Sequence, residues 1–145
     1  MLITFGAVLI AVMFLIRPLQ RNAFFTIYFA LMMGAAFLTE YVGYHFAPFS
    51  KQSFLMFLPW HFLLINFMTI VAYGVDKKAA QKGQWRVPEM QLHLMELFGG
   101  SPGAFLAQRL FRHKIKKKSF QISFLFVLAL QIVIVYYVFK MLHMF

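Results

Sequence analysis

Residues 73–120 read YGVDKKAAQKGQWRVPEMQLHLMELFGGSPGAFLAQRLFRHKIKKKSF. This stretch holds ten of the fourteen Lys and Arg in the 145-residue chain, and six of them fall between Arg109 and Lys118. Between its two basic runs lies an apolar segment interrupted by the sequence GGSPG at Gly99–Gly103. The stretch is therefore neither a plain membrane span nor a plain soluble segment, whereas the sequence on both sides of it is typical of membrane anchors.

The composition indicates a membrane protein. Hydrophobic side chains make up 62% of the chain and charged ones 12%, against roughly 45–50% and about 25% in soluble domains. The net charge of +10 is concentrated in the central stretch, which favours anionic lipid headgroups or other polyanions as partners. The sequence contains no cysteine, so disulfides and thiol catalysis are excluded.

Apolar runs predict four transmembrane helices. The first apolar run would form a helix only about 22 Å long at ~1.5 Å per residue. Basic residues follow this run rather than precede it, so we expect an uncleaved anchor. The last has twenty residues, which matches a hydrocarbon core of about 30 Å. The four runs are Leu2–Ile16, Ala23–Phe46, Phe54–Tyr73 and Phe120–Phe139.

The basic loops predict the orientation of these helices. With the N-terminus outside, the loops Gly74–Val87 and Arg112–Lys118 lie inside, as the positive-inside bias requires. A fifth crossing by Met90–Leu110 would place the densest basic run outside. We therefore expect a re-entrant or interfacial helical hairpin, with the arms Met90–Phe98 and Ala104–Phe111 each too short to span.

The predicted fold is an all-α membrane protein with four transmembrane helices and this hairpin. We treat residues 1–145 as a single integral membrane domain. Its parts are the N-terminal transmembrane helices (1–72), the basic hairpin segment (73–120) and the C-terminal transmembrane helix (121–145). Both termini are predicted to lie outside.

Several short motifs occur in order along the central stretch. They are Asp76-Lys77 with Ala80, Arg86 with Pro88-Glu89 and Leu92, Gly99-Gly100 with Pro102-Gly103, and His113-Lys114 followed by Lys117, Ser119 and Phe120. Together they resemble the DUF1294 family of small, mostly bacterial membrane proteins of unknown function. The resemblance implies a bacterial inner-membrane location and supplies no activity or cofactor.

The glycine turn and the basic run that follows it suggest an anion site. Backbone N–H groups at the start of a helix bind anions, and the Arg and Lys side chains would add charge. The alternatives are that the glycines serve close packing and that the basic run only sets topology. Because no aromatic residue interrupts the run, nucleic acid is disfavoured as a ligand. The candidate ligand-binding residues are Lys77, Arg86, Gly100, Gly103, Arg109, Arg112, His113, Lys114 and Lys117.

Three residues of the stretch are candidate acids or bases, namely Asp76, Glu89 and His113. Glu89 also has a structural explanation, since Arg86 and Glu89 stand three apart at a helix start, where an acidic side chain is favourable. The sequence does not decide whether any reaction is catalysed.

Glu89, His93 and Glu96 fall on one face of a helix. Such a face can bind a divalent metal or hold a general base, but no further ligands stand at a recognisable spacing, so we predict no metal site. If Glu96 is buried near the turn it needs a partner, and Arg109 on the returning arm is the expected one.

Glu40 and His61 lie in the second and third predicted spans. Each stands six or seven residues from the outer end of its apolar run. Ionisable groups at similar depth in a membrane tend to pair, so we predict a contact between these two side chains.

The functional hypothesis is a binding module for an anionic lipid headgroup or phosphorylated ligand at the basic hairpin. A second hypothesis is a membrane enzyme that acts on such a headgroup. A third is a structural or assembly subunit whose basic loops dock a protein partner or a second copy of the chain.

Single-cysteine labelling tests the predicted topology, because the chain contains no native cysteine. We expect cysteines at the positions of Lys82 and Lys116 to react with an impermeant reagent only from the inner side. Labelling of the two positions from opposite sides would show that Met90–Leu110 crosses the membrane.

Overall fold

The computed structural model describes residues 23–45 and 50–143, together with residue 11. All regular structure in these ranges is helical, which confirms the predicted all-α class. The elements are α1 (Ala23–Tyr41), α2 (Lys51–Lys82), α3 (Glu89–Met95), a π-helical turn (Glu96–Gly100), α4 (Ser101–Phe111) and α5 (Lys118–His143).

Three helices in the described ranges are long and apolar enough to cross a membrane. They are Ala23–Tyr41, Lys51–Lys82 and the Lys118–Tyr137 part of α5. The remaining predicted span, Leu2–Ile16, lies outside the described residues except for residue 11. Only 17% of the apolar window of α2 and 11% of that of α5 are buried within the protein, so most of their apolar surface is exposed, which is compatible with a membrane location.

Helix α2 is longer than the third predicted span. It continues through residues 74–82, which the sequence assigned to a basic loop. The reason is that Ala79-Ala80 and the neighbouring Lys and Gln are strong helix formers. The helix ends at Lys82, and Gly83 follows it in a left-handed conformation with φ +62°. The Gln84 N–H donates to the Ala79 carbonyl at 3.0 Å, which is the hydrogen bond of a Schellman cap.

The predicted hairpin segment forms two short helices. α3 has 7 residues and α4 has 11, so at ~1.5 Å per residue neither reaches the ~30 Å of a bilayer core. The π-helical turn separates them, and within it Gly99 has φ +106°, a conformation that glycine adopts readily. Two helical arms with a break between them are therefore present, but the break is shorter than predicted, because it lies at Gly99 and Ser101–Gly103 already belong to α4. That the segment re-enters the membrane stays a prediction.

The chain divides into two compact units, Met1–Met68 and Thr69–Phe145. In the first unit the hydroxyl of Tyr28 lies 2.5 Å from His61 Nδ1. Tyr28 and Glu40 stand twelve residues apart on α1, about 18 Å at ~1.5 Å per residue, so His61 cannot reach Glu40. The predicted Glu40–His61 contact is wrong, because α1 ends at Tyr41 and the two side chains do not share a depth.

In the second unit a small apolar core joins α3, α4 and the first turns of α5. Its buried members are Leu92, Met95, Ala104, Ala107 and Phe120. The small alanines on one face of α4 allow this short helix to pack closely. The unit therefore places the basic segment between α4 and α5 directly beside buried side chains.

Gln131 of α5 holds the π-helical turn in place. Its side-chain N–H₂ donates to the carbonyls of Glu96 and of Leu97, the latter at 3.1 Å. Its Oε1 accepts from the Ser101 hydroxyl at 2.6 Å. The backbone groups freed by a helix break need hydrogen-bond partners, and one amide side chain supplies them here.

We expect Gly100→Ala to destabilise the chain by about 1–3 kcal/mol, the usual cost of overpacking a dense site. A Cβ at Gly100 would collide with Thr69 Oγ1 and approach the Met95 carbonyl oxygen to 2.7 Å. Gly34→Ala is the control, since a Cβ there meets nothing within 4 Å and alanine favours a helix. Thermal unfolding in detergent measures both, and equal stability of the two variants would contradict the close packing at Gly100.

Candidate functional site

The site is centred on Asp76, which stands on α2 and is fully buried. Its carboxylate accepts two bonds from the guanidinium of Arg86, at 3.3 and 3.4 Å. Oδ2 also lies 2.7 Å from His113 Nε2 and 3.1 Å from Lys114 Nζ. One carboxylate therefore connects α2 with the loop before α3 and with the turn after α4.

A strained turn places two of these partners. Arg112 N–H bonds to Arg109 C=O at 3.3 Å and His113 N–H to Gln108 C=O at 3.2 Å, the pattern of a Schellman motif, whose left-handed position is usually glycine. Arg112 occupies that position at φ 46°, and Lys114 is also left-handed at φ 61°. A non-glycine residue in this conformation lowers the stability of the fold by about 1–3 kcal/mol and persists only where surrounding contacts hold it. The contacts that His113 and Lys114 make with Asp76 hold this turn.

Lys114 is a cation inside the protein. Its side chain is 3% exposed, and Nζ lies 4.7 Å from the centre of the Phe120 ring and 3.5 Å from Glu89 Oε1. Nζ lies within ion-pair distance of Asp76. It nevertheless forms no hydrogen bond with any described residue. A buried ammonium normally requires hydrogen-bond acceptors, so this group retains capacity to bind an anion.

Glu89 lies at the outer edge of this cluster. Its carboxylate is 2.7 Å from Lys117 Nζ, and the hydrogen bond from Lys117 lowers the pKa of Glu89. The expected helix-start pair of Glu89 with Arg86 is not the pairing that forms, because Arg86 turns to Asp76. The three predicted acid–base candidates, Asp76, Glu89 and His113, do meet, with Lys114 between the two carboxylates.

A second polar network surrounds Glu96, which is also fully buried. The Tyr73 hydroxyl donates to Oε1, and His93 Nδ1 lies 2.6 Å from Oε2. The predicted partner of Glu96, Arg109, instead lies 4.3 Å over the ring of Phe105. The reason is that α3 and α2, rather than the end of α4, place polar groups beside Glu96.

The face Glu89–His93–Glu96 does not form one cluster. His93 pairs with Glu96, whereas Glu89 pairs with Lys117 and Lys114. Phe120 separates the two networks, with the His93 ring 4.3 Å from its centre and Lys114 on the same ring.

A groove of about 730 Å³ opens beside Lys114. Cations form nearly all of its lining, and no carboxylate is among the lining residues. The lining residues are Arg109, Arg112, Lys114, Ile115, Lys116 and Lys117.

The other predicted ligand-binding residues lie elsewhere. Gly100 and Gly103 are at the start of α4, and nine residues separate Gly103 from Arg112, about 13 Å at ~1.5 Å per residue. The structure therefore does not bring the glycines to the basic residues, and Gly100 serves close packing against Thr69. Lys77 lines a separate groove on α2, and Arg86 and His113 are occupied by Asp76.

Tyr73, Gln108 and Gln121 are not among the predicted site residues. Gln121 donates to Gln108 Oε1 at 2.7 Å and to the carbonyl of Lys114 at 3.1 Å, and Gln108 donates to the Tyr73 hydroxyl at 3.5 Å. Two signals could have found them. Tyr73 and Asp76 stand three apart on one helix face, and uncharged amides within apolar helices need partners.

We expect Asp76→Asn to cost about 3 kcal/mol or more, because removal of one member of a buried ion pair leaves its partners without compensation. Glu89→Gln is the matched control, since its pair with half-exposed Lys117 is worth about 1 kcal/mol or less. Thermal unfolding of both variants in one detergent gives the comparison. Similar losses for the two would show that Asp76 does not hold the unit together.

Comparison with known proteins confirms the family. The family model "Protein of unknown function (DUF1294)" matches residues 66–120, the range that contains Asp76, Glu96, His113 and Lys114. The "Uncharacterized protein YsdA" of Bacillus subtilis (strain 168) is 33% identical over 84 residues, which are 57% of this chain and 94% of the relative. No solved structure matches the chain. The chain belongs to the DUF1294 family.

Proposed function

We propose that this chain is a bacterial inner-membrane protein that binds a phosphate-bearing anionic lipid headgroup in the groove beside Lys114. The observation that carries the proposal is the lining of the groove, which contains five cationic side chains and one apolar residue. Lys114 at this groove is buried and makes no hydrogen bond to any described residue. A phosphate oxygen would add a charge-assisted hydrogen bond to the ion-pair contacts that Lys114 makes with Asp76 and Glu89.

The position of the groove in the chain supports a lipid ligand. Its lining residues fall between Arg109 and Lys117 and so precede Lys118, the first residue of α5, a helix whose Lys118–Tyr137 part is long and apolar enough to cross a membrane. We infer that the groove lies near the membrane surface. Juxtamembrane basic clusters of this kind attract anionic headgroups at about 1 kcal/mol per residue. Trp85, in the loop after α2, is 77% exposed, as is common for aromatic residues at the membrane–water interface.

The geometry favours binding over catalysis. A general acid or base must reach its substrate, but both oxygens of Asp76 are engaged by Arg86, and His113 and Lys114 contact the same carboxylate. Asp76 and His113 thus contact each other, and the third candidate, Glu89, pairs with Lys117 and Lys114. The hypothesis of an assembly subunit draws on no feature of the described residues beyond the same basic surface.

Binding of short-chain phosphatidic acid to the detergent-solubilised full chain tests the proposal. We expect Lys116→Gln to weaken binding about fivefold, which corresponds to ~1 kcal/mol, because Lys116 lines the groove. Isothermal titration calorimetry or native mass spectrometry gives the affinity.

Lys82→Gln is the matched control, because it removes the same charge from the end of α2, outside the groove lining. It should change the affinity by less than about twofold if the groove is a shaped site rather than diffuse charge. Equal losses of affinity in the two variants would show that the basic segment only sets the topology and attracts anionic surfaces through its overall charge.

A further inference from the structure

We propose that the groove selects a dianionic phosphate monoester over a phosphodiester, and that the ligand displaces Glu89 from Lys114 and Lys117. This inference rests on the proposed function, because it names the chemical class of the anion that the same groove takes. It depends on one observation, that Lys114 and Lys117 both contact the carboxylate of Glu89.

Glu89 is the present counterion of two lysines that line the groove, although Glu89 is not itself a lining residue. Its Oε1 lies 2.7 Å from Lys117 Nζ and 3.5 Å from Lys114 Nζ, and both lysines line the groove. The Glu89 side chain is 37% exposed, so it can leave this position without disturbing a buried core. A ligand therefore competes with an internal carboxylate of charge −1.

Asp76 does not play this role. It is fully buried and also bound by Arg86 and His113, so its release would leave Arg86, His113 and Lys114 without this partner. Its contact with Lys114 therefore persists when Glu89 leaves. The Nζ of Lys114 then keeps a single ion-pair contact, to Asp76, and no hydrogen bond to any described residue.

This competition determines which phosphate can bind well. A phosphodiester carries one negative charge, so its exchange for Glu89 gives Lys114 and Lys117 no additional charge. A phosphate monoester, with a second pKa near ~6, carries close to two charges at neutral pH and presents three acceptor oxygens. It replaces Glu89 and still adds a charge and an acceptor, which both lysines and the flanking Arg112 can use.

The test compares three soluble probes on the full chain in detergent at about pH 7.5, where the monoester is almost fully dianionic. They are dihexanoyl phosphatidic acid, dihexanoyl phosphatidylglycerol and inorganic phosphate. We expect the first to bind the wild type about tenfold more tightly than the second, a difference of ~1.4 kcal/mol. If inorganic phosphate competes as well as phosphatidic acid, the ligand is a free phosphate, and if it competes weakly, the ligand is a lipid.

Glu89→Gln should tighten the binding of both lipid probes about threefold or more, because the competing carboxylate is lost. A variant with an impaired fold would bind the lipids more weakly, so a gain of affinity in Glu89→Gln cannot result from a damaged fold. Gln81→Lys is the control for net charge, since it makes the same change of +1 at an exposed residue of α2 outside the basic groove. It should alter affinity by less than about twofold.

Equal affinity of the wild type for the two lipids, or a gain in Glu89→Gln no larger than that in Gln81→Lys, would overturn this inference while the groove remained an anion site. Absence of binding of every probe by both the wild type and Glu89→Gln would overturn the proposed function as well.

Discussion

The second unit depends on the burial of one carboxylate. Asp76 stands on α2, and its oxygens contact Arg86 from the loop before α3 and His113 and Lys114 from the turn after α4. A buried charge is tolerated only with several partners, so these segments are held at one point. The left-handed residues Arg112 and Lys114 are the local cost of bringing those partners inward.

Glu96 repeats this principle on the other side of Phe120. Its carboxylate is met by Tyr73 and His93, both neutral or weakly basic groups, rather than by arginine or lysine. Amides continue the network, since Gln108 reaches Tyr73 and Gln121 reaches both Gln108 and the Lys114 carbonyl. Hydrogen bonds thus link the surroundings of both carboxylates through Tyr73, Gln108 and Gln121.

The basic residues divide into two classes by what they contact. Arg86 and His113 contact Asp76 and are structural, whereas Arg112 and Lys116 line the groove. Lys114 belongs to both classes, because it touches Asp76 and also lines the groove. A ligand in the groove would therefore lie beside Lys114, which belongs to the charge cluster around Asp76.

Composition and local pattern alone determined the all-helical class, three of the apolar spans and the break at the glycines, because apolar length and glycine conformation are properties of consecutive residues. They also singled out Asp76, Glu89 and His113 as candidate acids or bases, but did not show that these side chains lie in one cluster. Only the tertiary structure decided the pairing of the charges. Arg86 binds Asp76 rather than Glu89, and Glu96 binds Tyr73 and His93 rather than Arg109, since side chains distant in sequence pair according to how helices pack. The separation of the glycines from the basic groove likewise follows from α4, whose 11 residues lie between Gly100 and Arg112.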